Sequence, residues 1–230
     1  MKRYLGIDLG GCMSGTTAYC LIEGDGDSFE IIEIYKEPKH KGHLPCHDFL
    51  VDNLLLCKAD KIGIDAPLSL PRKLYDPDFI PEERDATGEI ANPYLFRFTD
   101  YYLFKTFGLR PMPPAGDRIG RLTARAMQLL QSQEIEPLRD KIIEIYPKQI
   151  ALALGNVGYK KDKLWVIERL AVDCDDIDEH QVDALLAAFG TMMIDLGHTI
   201  QPLDKEEGWC YPLKLKRSDD GYNIPKNRRQ

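Results

Sequence analysis

Residues 3–11 read Arg3-Tyr4-Leu5-Gly6-Ile7-Asp8-Leu9-Gly10-Gly11, a short apolar run that closes on a carboxylate and a double glycine. Its length and its stop are those of a β-strand entering a turn. The run from Thr16 to Ile22 is rich in Thr, Tyr and Ile and ends at Glu23-Gly24-Asp25-Gly26-Asp27, and Phe29 to Tyr35 alternates around three isoleucines. Three consecutive strands with tight turns predict an antiparallel meander. Leu50, Leu54 and Cys57 then recur at helical spacing within His47 to Lys58, and Lys61-Ile62-Gly63-Ile64-Asp65 reads as a buried strand. The order βββαβ predicts an α/β fold with a mixed sheet.

Beyond Ala66 the pattern changes. Eight of the fifteen prolines fall between residues 66 and 114, a density that excludes long helices and predicts a shaped loop. One helix is expected from Thr99 to Phe107 before Gly108. Another starts at Ile119 and ends before Pro137, with Ile119, Leu122, Ala126 and Leu129 on an apolar stripe and Arg118, Arg121 and Arg125 on a basic one. Lys141 to Pro147 reads as a strand followed by a short helix, and Lys161 to Leu170 as a helix. Asp178 and Gln181 are spaced as a capping box for a long helix that Gly197 stops. Gly208 to Leu213 reads as an edge strand. Residues 1–213 therefore form one expected domain. The stretch from Lys214 to Gln230, with six basic and two acidic residues, is expected to be a flexible tail.

The 230 residues, 43% of them hydrophobic and 29% charged, suit a globular core and exclude a disordered or fibrous chain. The net charge of −7 excludes a general attraction to nucleic acid, so a polyanion would need a local patch. No export signal is read at the amino terminus, and the apolar stretch near Ala184 to Ile194 is too short for a membrane span. A cytoplasmic protein is expected, with Cys12, Cys20, Cys46, Cys57, Cys174 and Cys210 as reduced, buried thiols.

The chemistry is carried by acids at the ends of apolar runs, where desolvation makes a carboxylate costly. Asp8 lies in the first strand, Arg3 to Leu9, before the Gly-Gly turn, Asp65 ends the fourth, Glu144 sits within Ile142-Ile143-Glu144-Ile145, and Asp183 stands on the long helix one turn after His180. Any one of them is equally well read as a turn cap or an arginine partner. Four together point to a shared partner, and oxygen-only ligation suits Mg²⁺ or Mn²⁺. Such ions activate water and stabilise the leaving oxygen in phosphodiester cleavage.

Gly6-Ile7-Asp8-Leu9-Gly10, Gly63-Ile64-Asp65-Ala66-Pro67 and His180-Gln181-Val182-Asp183-Ala184-Leu185 resemble the three acidic motifs of the RNase H-like superfamily. The last is similar to the carboxy-terminal motif of Holliday-junction resolvases. More closely, Ile64-Asp65-Ala66-Pro67-Leu68-Ser69-Leu70-Pro71, Arg97-Phe98-Thr99-Asp100, Glu144-Ile145-Tyr146-Pro147, Asp183-Ala184-Leu185 and Glu207-Gly208-Trp209 look like the successive motifs of the domain of unknown function 429 family. That family is described as RNase H-like nucleases; Thr99 stands where it commonly has Cys. The resemblance covers roughly residues 3 to 213. It implies a mixed sheet flanked by helices and a metal-dependent nuclease or phosphoesterase. Asp8 would bridge two metals, Asp65 and Asp183 would each hold one, and Glu144 would add a ligand or support. His180 would position a water or a proton. Arg97 is read either as Asp100's partner or as a phosphate grip, and Arg118 and Arg121 as contacts to a nucleic acid or nucleotide.

Two other function classes stay open. One is a non-catalytic RNase H-like module that binds a nucleotide or a protein. The other is an actin-like phosphotransferase, because Asp8-Leu9-Gly10-Gly11 with Gly15-Thr16-Thr17 also resembles that group's first phosphate loop; the second glycine-rich hairpin it needs is not found. His40, His43, Cys46 and His47 form a tract whose spacing matches no closed zinc pattern and which is expected to be a loop.

Overall fold

The computed structural model describes residues 1–230 except 86, 157–162, 173–175, 204–205, 216, 219–220, 223 and 229–230; side chains are also not described at 163–164, 217–218 and 221–222. The first three strands, β1 (Lys2–Asp8), β2 (Ala18–Gly24) and β3 (Ser28–Lys36), form the expected meander. The β2–β3 turn is closed by Asp25, whose Oδ1 accepts from the amides of Asp27 and Ser28 at 3.1 and 3.0 Å. Helix α1 (His43–Leu56) leads to β4 (Lys61–Asp65), which returns parallel to β1. After the proline-rich segment come α2 (Phe98–Phe107) and α3 (Gly120–Gln131), then β5 (Ile142–Glu144), parallel to β4, and the short α4 (Pro147–Ala153). Helices α5 (Lys163–Arg169) and α6 (Glu179–Asp195) follow. The six-stranded sheet has the order β5-β4-β1-β2-β3-β8, where β8 is Lys226–Asn227. This mixed α/β sheet flanked by helices is the architecture the sequence implies.

Alternation along β1 and β4 loads both faces of the sheet. Leu5, Ile7, Ile62 and Ile64 face one core, shared with Leu50 and Leu54 of α1 and Ala126 and Leu129 of α3. The other core is built around α6, where Val182 and every residue from Ala184 to Ile194 are buried. The helix is apolar all round because it lies between the sheet and α4 and α5. Asp178 caps it as expected: its carboxylate accepts from the His180 and Gln181 amides, and Gln181 Oε1 accepts from the Asp178 amide.

Several expectations are corrected. Helix α1 starts at His43, so His43, Cys46 and His47 of the histidine tract are helical and His40 alone precedes the helix. Pro45 is tolerated because an amide in the first turn has no intrahelical partner. Pro147 does not merely end β5 but opens α4, a position suited to its fixed φ. Gly208–Leu213 makes only isolated bridges, Glu144 with Cys210 and Thr199 with Leu213. Gly208 has φ +86° and Pro212 offers no amide, so a continuous ladder cannot form. The basic tail is not wholly free. Lys226–Asn227 pairs parallel with β3, and Asn227 Nδ2 donates to the Ala171 carbonyl at 2.7 Å. Strands β6 (Arg217–Ser218) and β7 (Gly221–Tyr222) form a separate pair. Of the expected buried thiols, Cys20, Cys46, Cys57 and Cys210 are buried and Cys12 is half-buried, whereas Cys174 lies outside the described residues. Among the described residues, no helix is long and apolar enough to cross a membrane.

Candidate acidic site at the end of the sheet

The site is assembled by backbone proximity. Gly6 on β1 and Gly63 on β4 are register partners, and α6 lies directly on both. A Cβ on Gly6 would come within 2.0 Å of the Ala188 amide nitrogen and 2.2 Å of the Ala184 carbonyl oxygen. One on Gly63 would meet Thr191 Oγ1 at 2.0 Å. Two residues onward, on the same face, stand Asp8 and Asp65, again register partners. Two strand residues span about 6.6 Å, and four helix residues about 6 Å. The step from Ala187 back to Asp183 therefore matches the step from Gly63 forward to Asp65, and His180 lies one turn further. Three acids from three elements and a histidine meet at this end of the sheet because two side chains are missing.

Their electrostatics confirm the grouping. Burial raises the pKa of Asp65 well above the usual carboxylate range, and the charges of Asp8, Asp183 and Glu144 add to it. Asp183 is pushed up to about 8 by burial and by Asp8. Burial also raises Asp8, against the opposing hydrogen bond from His180, whose Nδ1 is 2.7 Å from Asp8 Oδ2. That bond in turn raises the His180 pKa. Among the described residues, no hydrogen-bond donor or cation reaches the carboxylates of Asp65 or Asp183, which are half-buried and keep some access to solvent. Nor do any three His, Cys, Asp or Glu side chains among them stand together as a group placed to hold a metal ion. The donor chemistry fits a hard divalent cation: oxygen ligands, like charges held together, and unmet acceptors.

Glu144 has a different setting. Arg97, 1% exposed, donates to it through Nη1 (2.6 Å) and Nη2 (2.7 Å), and the Leu68 amide adds a third bond at 2.8 Å. The same guanidinium binds Asp100 through Nε (3.0 Å) and Nη2 (2.8 Å) and reaches Ser69 Oγ at 3.2 Å. All of its directions are used within the protein, so a phosphate would have to displace a carboxylate to reach it. Arg125 likewise leaves the basic stripe. It is buried, donating to the Gly10 carbonyl (2.6 Å), Thr17 Oγ1 (2.8 Å) and the Cys46 carbonyl (3.3 Å), with Glu37 at 3.6 Å. Arg118 and Arg121 remain exposed. Three amides of the Gly10–Thr17 loop are bonded within it: the Gly10 amide donates to Thr17 Oγ1, that of Ser14 to the Gly11 carbonyl and that of Thr16 to Ser14 Oγ. These amides are therefore not turned outward to a phosphate. In the histidine tract, His40 Nε2 faces Glu37 at 3.2 Å and His43 Nε2 faces Gln128 at 3.3 Å.

Two residues gain importance that the spacing of acids did not single out. Glu207, 2% exposed, accepts from the amides of Arg72 and Phe98, both at 2.8 Å, and pins the proline-rich segment to the start of α2. Tyr146 is two residues beyond Glu144; burial and the charge of Asp65 raise its pKa. The period-two offset from an acid-bearing strand is the signal that points to it.

No family model and no curated protein matches the chain. Among solved structures, it is similar to RuvC of Thermus thermophilus, with 14% identity, 85% of this chain and 96% of that chain covered, and a TM-score of 0.44. It is also similar to RuvC of T. thermophilus in complex with a Holliday junction substrate, with 12% identity, 86% and 97% covered, and a TM-score of 0.48.

Proposed function

We propose that this protein is a metal-dependent phosphodiesterase of the RNase H-like kind, cleaving a nucleic acid or a nucleotide. The observation that carries the reading is the pair Asp65 and Asp183: two carboxylates, pushed upward in pKa by burial and by Asp8, with no donor among the described residues. An arrangement of this kind loses stability unless a cation or a proton compensates it. Asp8, Asp65 and Asp183 would hold Mg²⁺ or Mn²⁺, which supplies Lewis acidity at the scissile phosphate and an acidified water. Glu144 supports the site through Arg97 and the Leu68 amide, fixing where β5 ends. His180 keeps Asp8 oriented through Nδ1 and presents Nε2 to hold a water or pass a proton. Arg118 and Arg121, exposed at the start of α3, would meet the phosphates that flank the cut.

The experiment is a titration of Mn²⁺ or Mg²⁺ into wild type and Asp8→Asn, read as thermal stability, followed by labelled DNA and RNA substrates. Cation-dependent stabilisation and cleavage by wild type that vanish in the variant support the reading. Equal behaviour of the two proteins overturns it and leaves a non-catalytic module.

A further inference from the structure

Asp65 is not only a site carboxylate; it also lines a cavity of about 80 Å³ that runs away from the sheet under the proline-rich segment. Leu103, Pro111, Met112, Ile119 and Ile145 give this cavity an apolar wall, and Tyr146 adds a ring. Its charged lining residues, Arg97, Asp100 and Glu144, are bound to one another. The cavity therefore offers a phosphate nothing, although it opens beside the carboxylates where a phosphate would be cut. A water-sized body needs about 10–15 Å³ of such space, so there is room for roughly five to eight, the scale of one planar ring with its substituents.

Met112 and Pro111 also line a second cleft, of about 420 Å³, with Phe96, Phe104, Arg110 and Pro113, and with Glu89 as its one carboxylate. There the exposed Arg110 guanidinium lies 5.5 Å from the centre of the Phe104 ring, and among the described residues no carboxylate pairs with it. An aromatic face carrying a free cation is the arrangement that binds unstacked bases and their phosphates. Pro111 and Met112 belong to the walls of both cavities, and Met112 is a flexible thioether suited to packing against rings of varied shape.

We propose that the cavity beside Asp65 receives one unstacked nucleobase of the substrate, and that the cleft beyond Met112 receives the neighbouring nucleoside with Arg110 on its phosphate. The preferred substrate is then a single strand or a locally unpaired segment, because a paired and stacked base cannot enter. This inference rests on the nuclease reading for its substrate but not for its binding test.

The binding test uses thymidine 5′-monophosphate and 2-deoxyribose 5-phosphate, which differ by the base, followed through the methyl signal of isotope-labelled Met112. The nucleotide is expected to shift that signal and the sugar phosphate to leave it unchanged. Met112→Trp, at a residue 45% exposed and so tolerant of substitution, should weaken nucleotide binding at least tenfold. Equal responses to the two probes, or unchanged binding by Met112→Trp, overturn the proposal. With cleavable oligonucleotides, Met112→Trp should lose at least tenfold in kcat/KM on a normal single strand. It should lose little on the same strand with an abasic residue at the cavity position. Binding of the nucleotide by a protein that cleaves nothing would support the cavity while removing the nuclease reading. Normal cleavage by Met112→Trp would remove the cavity alone.

Discussion

Asp8 and Asp65 are register partners across the parallel β1–β4 pair, so their carboxylates leave the same face of the sheet side by side. Burial raises the proton affinity of both, the charge of Asp8 adds to that of Asp65, and the hydrogen bond from His180 relieves Asp8 alone. The pair also explains why the chain ends two adjacent strands on acids.

The Asp8→Asn change should return the His180 pKa toward the ordinary value of 6.5, because its largest upward cause is the bond to Asp8. A pH titration of the His180 ring by NMR reads this directly. A ring whose titration is the same in both proteins would contradict the contact.

Metal-free stability should fall as pH rises from about 4 to about 8. The folded Asp183 carboxyl titrates near 8 against an ordinary 3.8, so in that window the native state holds a proton that the unfolded chain has released. The slope cannot exceed about 1.4 kcal/mol per pH unit for each such proton. Asp183→Asn should flatten the profile in urea unfolding measured across this range. Divalent cations should bind more tightly as pH rises, since they replace the same proton.

Arg97→Met should destabilise the protein by about 3–5 kcal/mol, as removing one partner strands Glu144 and Asp100 in the interior. Arg97→Lys should recover little, because one ammonium cannot span both carboxylates as the fork does. Denaturant midpoints of the two variants make the comparison.

Gly6→Ala should cost at least about 3 kcal/mol, at the upper end of overpacking, because its methyl would fall on backbone atoms of α6 that no rotamer change can move. If the variant folds, displacement of α6 should also weaken Mn²⁺ binding, measured by calorimetry. A stable variant with unchanged Mn²⁺ affinity would contradict the packing.

The elements that were legible in the sequence are those decided by nearby residues. Strand β1 shows as an apolar run with a Gly-Gly stop, and α6 announces itself through Asp178 and Gln181 three residues apart. What was not legible is decided at a distance. The spacing of Arg97 and Asp100 suggests a pair, but nothing local reveals that Glu144 completes it from 47 residues away. Arg125 repeats with Arg118 and Arg121 as if on one exposed face. It is drawn inward because the Gly10 carbonyl, Thr17 and Glu37 converge on its guanidinium. Strand β8 carries two polar residues and no pattern at all; it exists because the edge of β3 offers unpaired backbone groups.

The contact of α6 with Gly6 is backbone against backbone, which leaves no rotamer to adjust that gap, whereas at Gly63 the Thr191 side chain and the Ala187 carbonyl fill the space. Core side chains elsewhere can shift and repack while the spacing between helix and strands stays as it is. The separation of Asp8 from Asp183 and His180 is thereby insulated from variation in the rest of the core. Loops, tail and substrate-facing surface are free to diverge around a site in which the distance from β1 to α6 is written in main-chain atoms.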